Sequence, residues 1–139
     1  MTSTDPEVID LSTMQTVTLL CLLAAVAAAA AAPADTYDAK YDSFNAHELV
    51  QNQRLLKSYG KCFLSKGPCT AEGSDFKRVI PEALKTTCGK CTRKQRELVR
   101  VVVKGFQEQL PQVWTEIVSK EDPKGEYKDS FAKFLEGSD

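Results

Sequence analysis

The sequence predicts an all-α fold, a compact bundle of about six short helices fastened by two local disulfides. Apolar residues recur three and four positions apart in one segment after another, whereas no segment alternates with a period of two. Four cysteines between Cys62 and Cys91 are separated by six, eighteen and two residues, so they can act as staples. The chain has 139 residues, 42% of them hydrophobic and 27% charged, which is typical of one small globular domain.

The N-terminal quarter differs in composition from the rest of the chain. Thr16–Ala34 carries no charge, but it is shorter and less hydrophobic than the roughly 20 apolar residues of a membrane span. It ends in Ala32-Pro33-Ala34, which matches a small-x-small cleavage site. We therefore interpret residues 1–34 as a secretory signal peptide and residues 35–139 as a single domain, and we expect a secreted, extracellular protein without stable membrane insertion.

The first residues do not fit a signal peptide, which normally begins with basic residues. Met1–Thr13 contains Asp5, Glu7 and Asp10 but no lysine or arginine. Translation from Met14 would lead directly into the apolar run. Residues 1–13 are therefore interpreted as an extension introduced by the gene model.

Removal of the leader would leave a nearly neutral domain with four cysteines, because Cys21 lies in the apolar run. An even cysteine count in an exported domain favours disulfides. Charges of both signs are mixed along the domain, so the sequence predicts no nucleic-acid partner.

The first part of the domain predicts an arm and two helices. Asp35–Phe44 contains aromatic residues without a sustained period, so we expect an extended arm laid on the domain. A short helix follows from Asn45, and a second begins after Asn52, a good N-cap residue. The second helix is apolar on one face, and Gly67-Pro68 turns the chain after it.

The next two helices are predicted to begin at threonine caps. Thr70 can cap a helix whose apolar stripe contains Pro81, and this proline should kink the helix or split it in two. Thr92 and Gln95 fit a capping box at the start of the clearest amphipathic helix.

The C-terminal part predicts two further helices joined by a turn. Pro111 opens a short amphipathic helix at or near its first position. Asp122-Pro-Lys-Gly125 has the residues of a type I turn, with proline second and glycine fourth. A last helix rich in aromatic residues follows.

The cysteine positions favour a sequence-local pairing, Cys62 with Cys69 and Cys88 with Cys91. The first pair spans a helix end and a Gly-Pro turn, and the second lies at the entry to the clearest helix. Three pairings are possible, and this one needs no long-range approach. Each small ring would stabilise the domain by about 2 to 2.5 kcal/mol.

Two other interpretations of the cysteines stay open. Cys88-Gly-Lys-Cys91 at a helix start is similar to a redox motif, although the βαβ context of such enzymes is not visible in the sequence. A zinc site would need four thiolates, and the spacing of Cys62 and Cys69 is poor for a zinc knuckle. We predict no metal and no cofactor.

Residue chemistry gives little support for catalysis. The only histidine, His47, falls on the polar side of a short helix, where a solvated surface residue is expected. No Gly-x-Ser-x-Gly, His-x-x-x-His or glycine-rich phosphate loop is present. We therefore expect that the protein is not an enzyme.

Aromatic residues are spread over every predicted helix. They can fill an ordinary core, or they can line an apolar channel in which a few tyrosine hydroxyls orient a ligand. Composition does not decide between a filled core and a hollow one.

Four motifs stand out in combination. They are Asn52-Gln-Arg-Leu-Leu-Lys-Ser-Tyr59-x-x-Cys62, the Cys-x6-Cys-x18-Cys-x2-Cys array, Ile80-Pro-Glu-Ala-Leu-Lys-Thr-Thr-Cys88-x-Lys-Cys91 and Asp122-Pro-x-Gly125. Together they resemble the insect chemosensory proteins, also called the OS-D-like family, over a stretch from Tyr37 to about Leu135. The resemblance implies a soluble, secreted monomer of six helices, with local disulfides and an internal hydrophobic channel that carries fatty or odorant-like molecules.

The resemblance also implies which residues bind the ligand. The channel tyrosine falls on Tyr59, the arm tyrosine on Tyr41, an aromatic residue near the channel mouth on Tyr127, and the buried tryptophan of the fifth helix on Trp114. The other apolar positions that can line the channel are Leu49, Phe76, Ile80, Val102, Val103 and Phe106.

Three residues depart from the family pattern. Glu121 stands where a tyrosine is usual, Phe76 is bulkier than the common leucine or isoleucine, and Gly105 interrupts a helix with no gain in helix propensity. All three departures bear on the width and the mouth of the channel.

The leading hypothesis is a secreted carrier of small hydrophobic molecules, such as fatty acids and alcohols or odorant- and pheromone-like ligands, which it holds by burial rather than by bond chemistry. The alternative is a secreted developmental or signalling factor that acts through a protein partner, with its channel filled. Ligand binding by the purified protein would separate the two.

Overall fold

The computed structural model describes residues 35–138. The predicted signal peptide and the predicted gene-model extension lie outside these residues. Within the described range the chain forms α-helices and one 3-10 helix and contains no strand. The all-α prediction is therefore confirmed.

Six α-helices follow one another along the described chain, as predicted. Their bounds are Ala46–Gln51 (α1), Gln53–Phe63 (α2), Ala71–Thr86 (α3), Arg93–Gln109 (α4), Pro111–Glu121 (α5) and Lys128–Glu136 (α6). No helix in residues 35–138 is long and apolar enough to cross a membrane.

The sequence predicted an extended N-terminal arm, and this prediction is wrong. The arm contains a 3-10 helix at Ala39–Ser43. The carboxylate of Asp38 caps this helix by accepting a hydrogen bond from the backbone N–H of Lys40, at 2.9 Å. Such a short turn needs only a local cap, which a search for helical periodicity does not detect.

The predicted N-caps are confirmed by their hydrogen bonds. The side chain of Asn52 accepts from Leu55 N at 3.1 Å, and that of Thr70 from Gly73 N at 2.9 Å. Asn45, which was not predicted as a cap, also accepts from Glu48 N, at 3.0 Å. Thr92 and Gln95 form the complete capping box at the start of α4. Each cap satisfies an orphan N–H group, and together they fix where four of the helices begin.

Pro81 neither ends α3 nor divides it, so of the two predicted outcomes, a kink or a split, the split is wrong. The helix continues from Ala71 to Thr86 with the proline inside it. Proline has no backbone N–H, so one carbonyl of the preceding turn lacks its helical partner. Because Pro81 is exposed, water can donate to this carbonyl instead. Packing of the apolar stripe on both sides of the proline keeps the helix in one piece.

Both predicted disulfides are confirmed. Cys62 is bonded to Cys69 and Cys88 to Cys91, with Cα–Cα distances of 5.0 and 5.1 Å. Because all four cysteines are in disulfides, none of them is available as a thiolate ligand, which a zinc site would need. Within residues 35–138, no cluster of three or more histidine, cysteine or acidic side chains could hold a metal ion.

The buried side chains form two clusters that meet at α4 and α5. One surrounds Leu56 and Phe106, which are 0 and 2% exposed, and the other surrounds Leu84 and Phe131. Trp114 packs against both clusters. The buried side chains therefore form two separate groups, and the space between the groups decides whether the interior is filled.

The packing of α4 explains why a glycine occupies position 105, although glycine lowers helix propensity. A Cβ atom at this position would lie 2.5 Å from Cγ1 of Val50, closer than carbon atoms approach in proteins. The glycine therefore permits α4 to pack directly on α1, and this contact outweighs the loss of helix propensity, which is about 1 kcal/mol.

The turn before α6 forms as predicted. Gly125 N donates to the carbonyl of Asp122 at 3.0 Å, and Gly125 has φ +66°. The Asp122 carboxylate is buried and accepts from Glu126 N and Tyr127 N, at 2.9 and 3.0 Å. A buried charge with these two partners holds the chain where it enters the last helix.

Candidate ligand-binding cavity

A cavity of about 300 Å³ lies between the helices. Side chains from the N-terminal arm and from all six helices line it, and most of them belong to α3 and α4. Its volume is at the lower end of the range of about 300 to 1,000 Å³ that is typical of small-molecule sites. The interior is therefore partly hollow, the possibility that composition left open.

The inner wall of the cavity is apolar and lies between the two core clusters. The side chains of this wall are aromatic or aliphatic and come from α2 to α6: Phe63, Ile80, Leu84, Val99, Val103, Phe106, Trp114, Ile117 and Phe131. Several are less than a tenth exposed, including Val103 and Ile117. This wall can bury an alkyl chain but offers little hydrogen bonding.

Four aromatic rings of the cavity lining pack together where the arm meets α2 and α3. Phe76 packs edge-on against Tyr41 and Phe44, with ring centroids 5.5 and 4.9 Å apart, and Phe44 also contacts Tyr59 at 6.1 Å. Edge-to-face pairs of this kind stabilise the arrangement beyond the area that they bury. Phe76 is bulkier than the residue that is usual in the family, and its ring packs against the arm and holds it in place.

Polar groups of the lining concentrate at the arm. The Tyr41 hydroxyl donates to Asp75, and the same carboxylate accepts from Arg78. The hydrogen bond from Tyr41 holds the pKa of the Asp75 carboxyl below its usual value and, in turn, raises the pKa of Tyr41. The side chain of Asp75 is 24% exposed, whereas that of Arg78 is 76% exposed. The carboxylate is therefore the more shielded from solvent of the two charged groups.

A second polar cluster attaches the start of the arm to α3. The Tyr37 hydroxyl donates to Oε2 of Glu82 at 2.7 Å, and Lys90 Nζ lies 3.0 Å from Oε1 of that carboxylate. Burial and the hydrogen bond to Glu82 raise the pKa of Tyr37 above its ordinary value. The pKa of the Glu82 carboxyl is lowered, first by the Tyr37 hydrogen bond and then by that from Lys90.

A second, more polar pocket of about 410 Å³, called the outer pocket here, lies between the arm, α1, α2 and the start of α3. Its charged lining residues are Lys40, Glu48 and Glu72. It shares four lining residues with the inner cavity, namely Tyr41, Phe44, Leu49 and Tyr59. These four side chains are thus a wall with an apolar space on one side and a polar one on the other.

The structure brings together all of the predicted ligand-binding residues except Tyr127. The residues that line the cavity are Tyr41, Leu49, Tyr59, Phe76, Ile80, Val102, Val103, Phe106 and Trp114. Tyr127 is the residue before α6 and is not part of the lining. That any of these side chains binds a ligand stays a prediction.

Sequence reasoning missed the polar end of the cavity. Tyr37, Asp38, Asp75 and Arg78 line it, yet none of them was predicted as a site residue. Asp75 meets Tyr41 across 34 residues of chain, and no local pattern announces such a contact. His47 is exposed, as predicted, and does not line the cavity.

Sequence comparison places the chain among insect proteins. A family model described as "Insect pheromone-binding family, A10/OS-D" matches residues 37–129. The chain is 38% identical over 104 residues to the allergen Tha p 1 of Thaumetopoea pityocampa, an alignment that covers 75% of this chain and 82% of the allergen. It is 39% identical over 89 residues to the ejaculatory bulb-specific protein 3 of Drosophila melanogaster, covering 64% of this chain and 71% of that protein.

Structural comparison gives the same answer. A solved chemosensory protein in complex with bromo-dodecanol superimposes with a TM-score of 0.64 at 31% sequence identity, covering 70% of this chain and 98% of the other. The resemblance inferred from the four sequence motifs is confirmed, since sequence and fold agree over most of the described domain. The chain belongs to the insect pheromone-binding family A10/OS-D, the chemosensory proteins.

Proposed function

We propose that this protein is a secreted carrier of small hydrophobic molecules, such as fatty alcohols and acids or odorant- and pheromone-like compounds, which it holds in the cavity between its helices. The observation that carries this proposal is the cavity of about 300 Å³, whose inner wall is apolar and whose polar groups lie at one end. The similar chemosensory protein bound to bromo-dodecanol supports the same class of ligand.

Binding in such a cavity is driven by burial of alkyl surface. Transfer of each methylene from water contributes about 0.8 kcal/mol, and the immobilisation of the ligand offsets part of the total. Because one methylene more or less changes the affinity little, the inner wall alone should accept a range of chain lengths. Finer selection must come from the polar end.

The ligand contacts proposed here are those of the cavity lining. Trp114 and Phe106 would face the alkyl chain, while Tyr41 and Tyr59, which belong to both pockets, would lie near its polar end. Tyr127 is kept as a weaker candidate because it lies outside the lining. The mechanism needs no cofactor, no bond chemistry and only one copy of the chain.

The sole tryptophan gives a direct test. Because the chain has one Trp and that residue lines the cavity, a ligand that enters should change the intrinsic fluorescence of Trp114. We expect saturable titration with a long-chain alcohol and a one-to-one complex in native mass spectrometry. Absence of both signals across a panel of chain lengths would refute the carrier function. Saturable binding of a protein partner by the same lipid-free sample would then favour the signalling alternative.

A further inference from the structure

The carrier function proposed above leaves open which head group the cavity accepts, and the polar end of the cavity bears on this question. Three charged side chains line the cavity: Asp38, Asp75 and Arg78. Two of the three are carboxylates. Arg78 projects into solvent, with 76% of its side chain exposed, whereas the side chain of Asp75 is 24% exposed.

Two of the tyrosines at this end have their hydroxyl protons engaged, whereas the Tyr59 hydroxyl accepts from Thr70 Oγ1 at 3.1 Å and keeps its own proton. Tyr41 donates its hydroxyl proton to Asp75, and Tyr37 donates its own to Glu82. A phenol has one proton to donate, so each of these oxygens can afterwards only accept. The amide nitrogen of Gln95, a further polar group of the lining, donates to the carbonyl of Asp38 at 2.9 Å.

Asp75 retains acceptor capacity. An ionised carboxylate has about four lone-pair sites, and the structure shows contacts from Tyr41 and Arg78. A head group that donates a hydrogen bond can therefore pair with Asp75 or with the Tyr41 oxygen. A carboxylate head group would instead lie beside a like charge, which is unfavourable at a partly buried site, unless it displaced Asp75 from the exposed Arg78.

We propose that Asp75, oriented by Tyr41, selects ligands whose head group donates a hydrogen bond, so that a long-chain alcohol binds in preference to the carboxylate of the same length. The alkyl chain lies against the inner wall, and the hydroxyl lies under the arm. Asp75 thereby supplies the selectivity that the apolar wall lacks.

The first test compares three ligands of equal alkyl length on the unmodified protein. Dodecanol, dodecanoate and methyl dodecanoate each compete with N-phenyl-1-naphthylamine at neutral pH. We expect dodecanol to bind about tenfold more tightly than dodecanoate, equivalent to about 1.4 kcal/mol, and more tightly than the ester, which has no proton to donate. Equal affinity for alcohol and acid would overturn the proposal. An ester that binds as tightly as the alcohol would also overturn it, because selection would then need no donor.

The second test removes the charge. Asp75→Asn should bring the affinities for dodecanol and dodecanoate together, since the amide still accepts from Tyr41 but no longer repels the acid. The matched control is Glu72→Gln, which removes one negative charge from the first turn of the same helix, at a residue that lines only the outer pocket. The control should keep the full preference for the alcohol. An equal loss of preference in both variants would point to long-range charge and refute the role of Asp75.

The two proposals fail in distinguishable ways. If none of the three ligands displaces the probe, the carrier function itself is wrong. If alcohol and acid displace it equally, the protein is a carrier and only the inference about Asp75 is wrong. The three-ligand comparison uses no variant, so it can overturn the proposal even if Asp75→Asn does not fold.

Discussion

The phenolic hydroxyl of Tyr37 donates a 2.7 Å hydrogen bond to Glu82, a residue 45 positions further along the chain. The backbone of Tyr37 is held as well, since its N–H donates to the carbonyl of Lys90 at 2.8 Å. Lys90 lies between the two cysteines of the second disulfide, and its ammonium pairs with the same Glu82 carboxylate. One polar cluster thus joins the arm, α3 and the disulfide loop.

Replacement of Tyr37 by phenylalanine should lower the free energy of unfolding by about 1 kcal/mol, because one part-buried hydrogen bond is lost while the ring remains. Urea denaturation monitored by circular dichroism measures the change. Tyr127→Phe is the matched control, since its hydroxyl lies outside this cluster. Equal destabilisation by both substitutions would contradict the assignment.

The free energy of unfolding should decrease as the solution is made more acidic. The pKa values of the Glu82 and Asp75 carboxyls are lowered in the folded protein, chiefly by hydrogen bonds from Tyr37 and Tyr41. A carboxyl whose pKa is lowered in the folded state makes its full contribution to stability at pH values above its unfolded pKa of about 4. That contribution is lost as the pH falls through the lower folded value.

The measurement is the urea midpoint at a series of pH values from about 6 down to about 2, a range that begins above the unfolded pKa of a carboxyl and extends well below it. The double variant Asp75→Asn, Glu82→Gln should show a shallower decline than the unmodified protein. Identical declines would mean that other carboxyls cause the acid sensitivity.

Gly105→Ala should destabilise the protein by about 1 to 3 kcal/mol, although alanine is the better helix former, because its Cβ would overlap Val50. Thermal denaturation reports the loss. Val50→Ala provides the control: in the double variant, most of the added cost of Gly105→Ala should disappear. A Gly105→Ala variant as stable as the original would show that α1 can move away.

Val102→Phe should abolish ligand binding while the protein stays folded, because Val102 lines the cavity and a larger ring can occupy its space. We expect at least a tenfold loss of affinity, or about 1.4 kcal/mol, in the fluorescence titration. Val101→Phe, at the neighbouring position outside the lining, should bind normally. Unchanged affinity in Val102→Phe would place the ligand elsewhere.

The helices could be predicted from the sequence because their signals are local. The apolar period of α4, the caps at Asn52, Thr70 and Thr92, and the short cysteine spacings each lie within one element or one corner. Two features of the secondary structure differed from the sequence prediction. The 3-10 helix of the arm is too short for periodicity to show, and tertiary packing overrode the local effect of Pro81.

The candidate site could be predicted only in part. Its apolar residues were found by resemblance, since the positions that line a cavity also belong to ordinary helix faces. A hollow interior depends on how side-chain volumes from seven segments fit together, which no stretch of sequence contains. The contact between Tyr41 and Asp75 is equally non-local, so the polar end was missed.

No residue of the 3-10 helix in the arm is buried. The arm as a whole is attached by a small number of hydrogen bonds, among them those from Tyr37 to Glu82 and from Tyr41 to Asp75, and by the packing of Tyr41 on Phe76. Release of the arm would break these contacts but leave the packing among the six α-helices in place, so it should cost far less free energy than global unfolding. Its amide protons should then exchange with deuterated solvent long before those of α4, and cargo could leave the protein on the timescale of that local opening, while both disulfide corners remain in place.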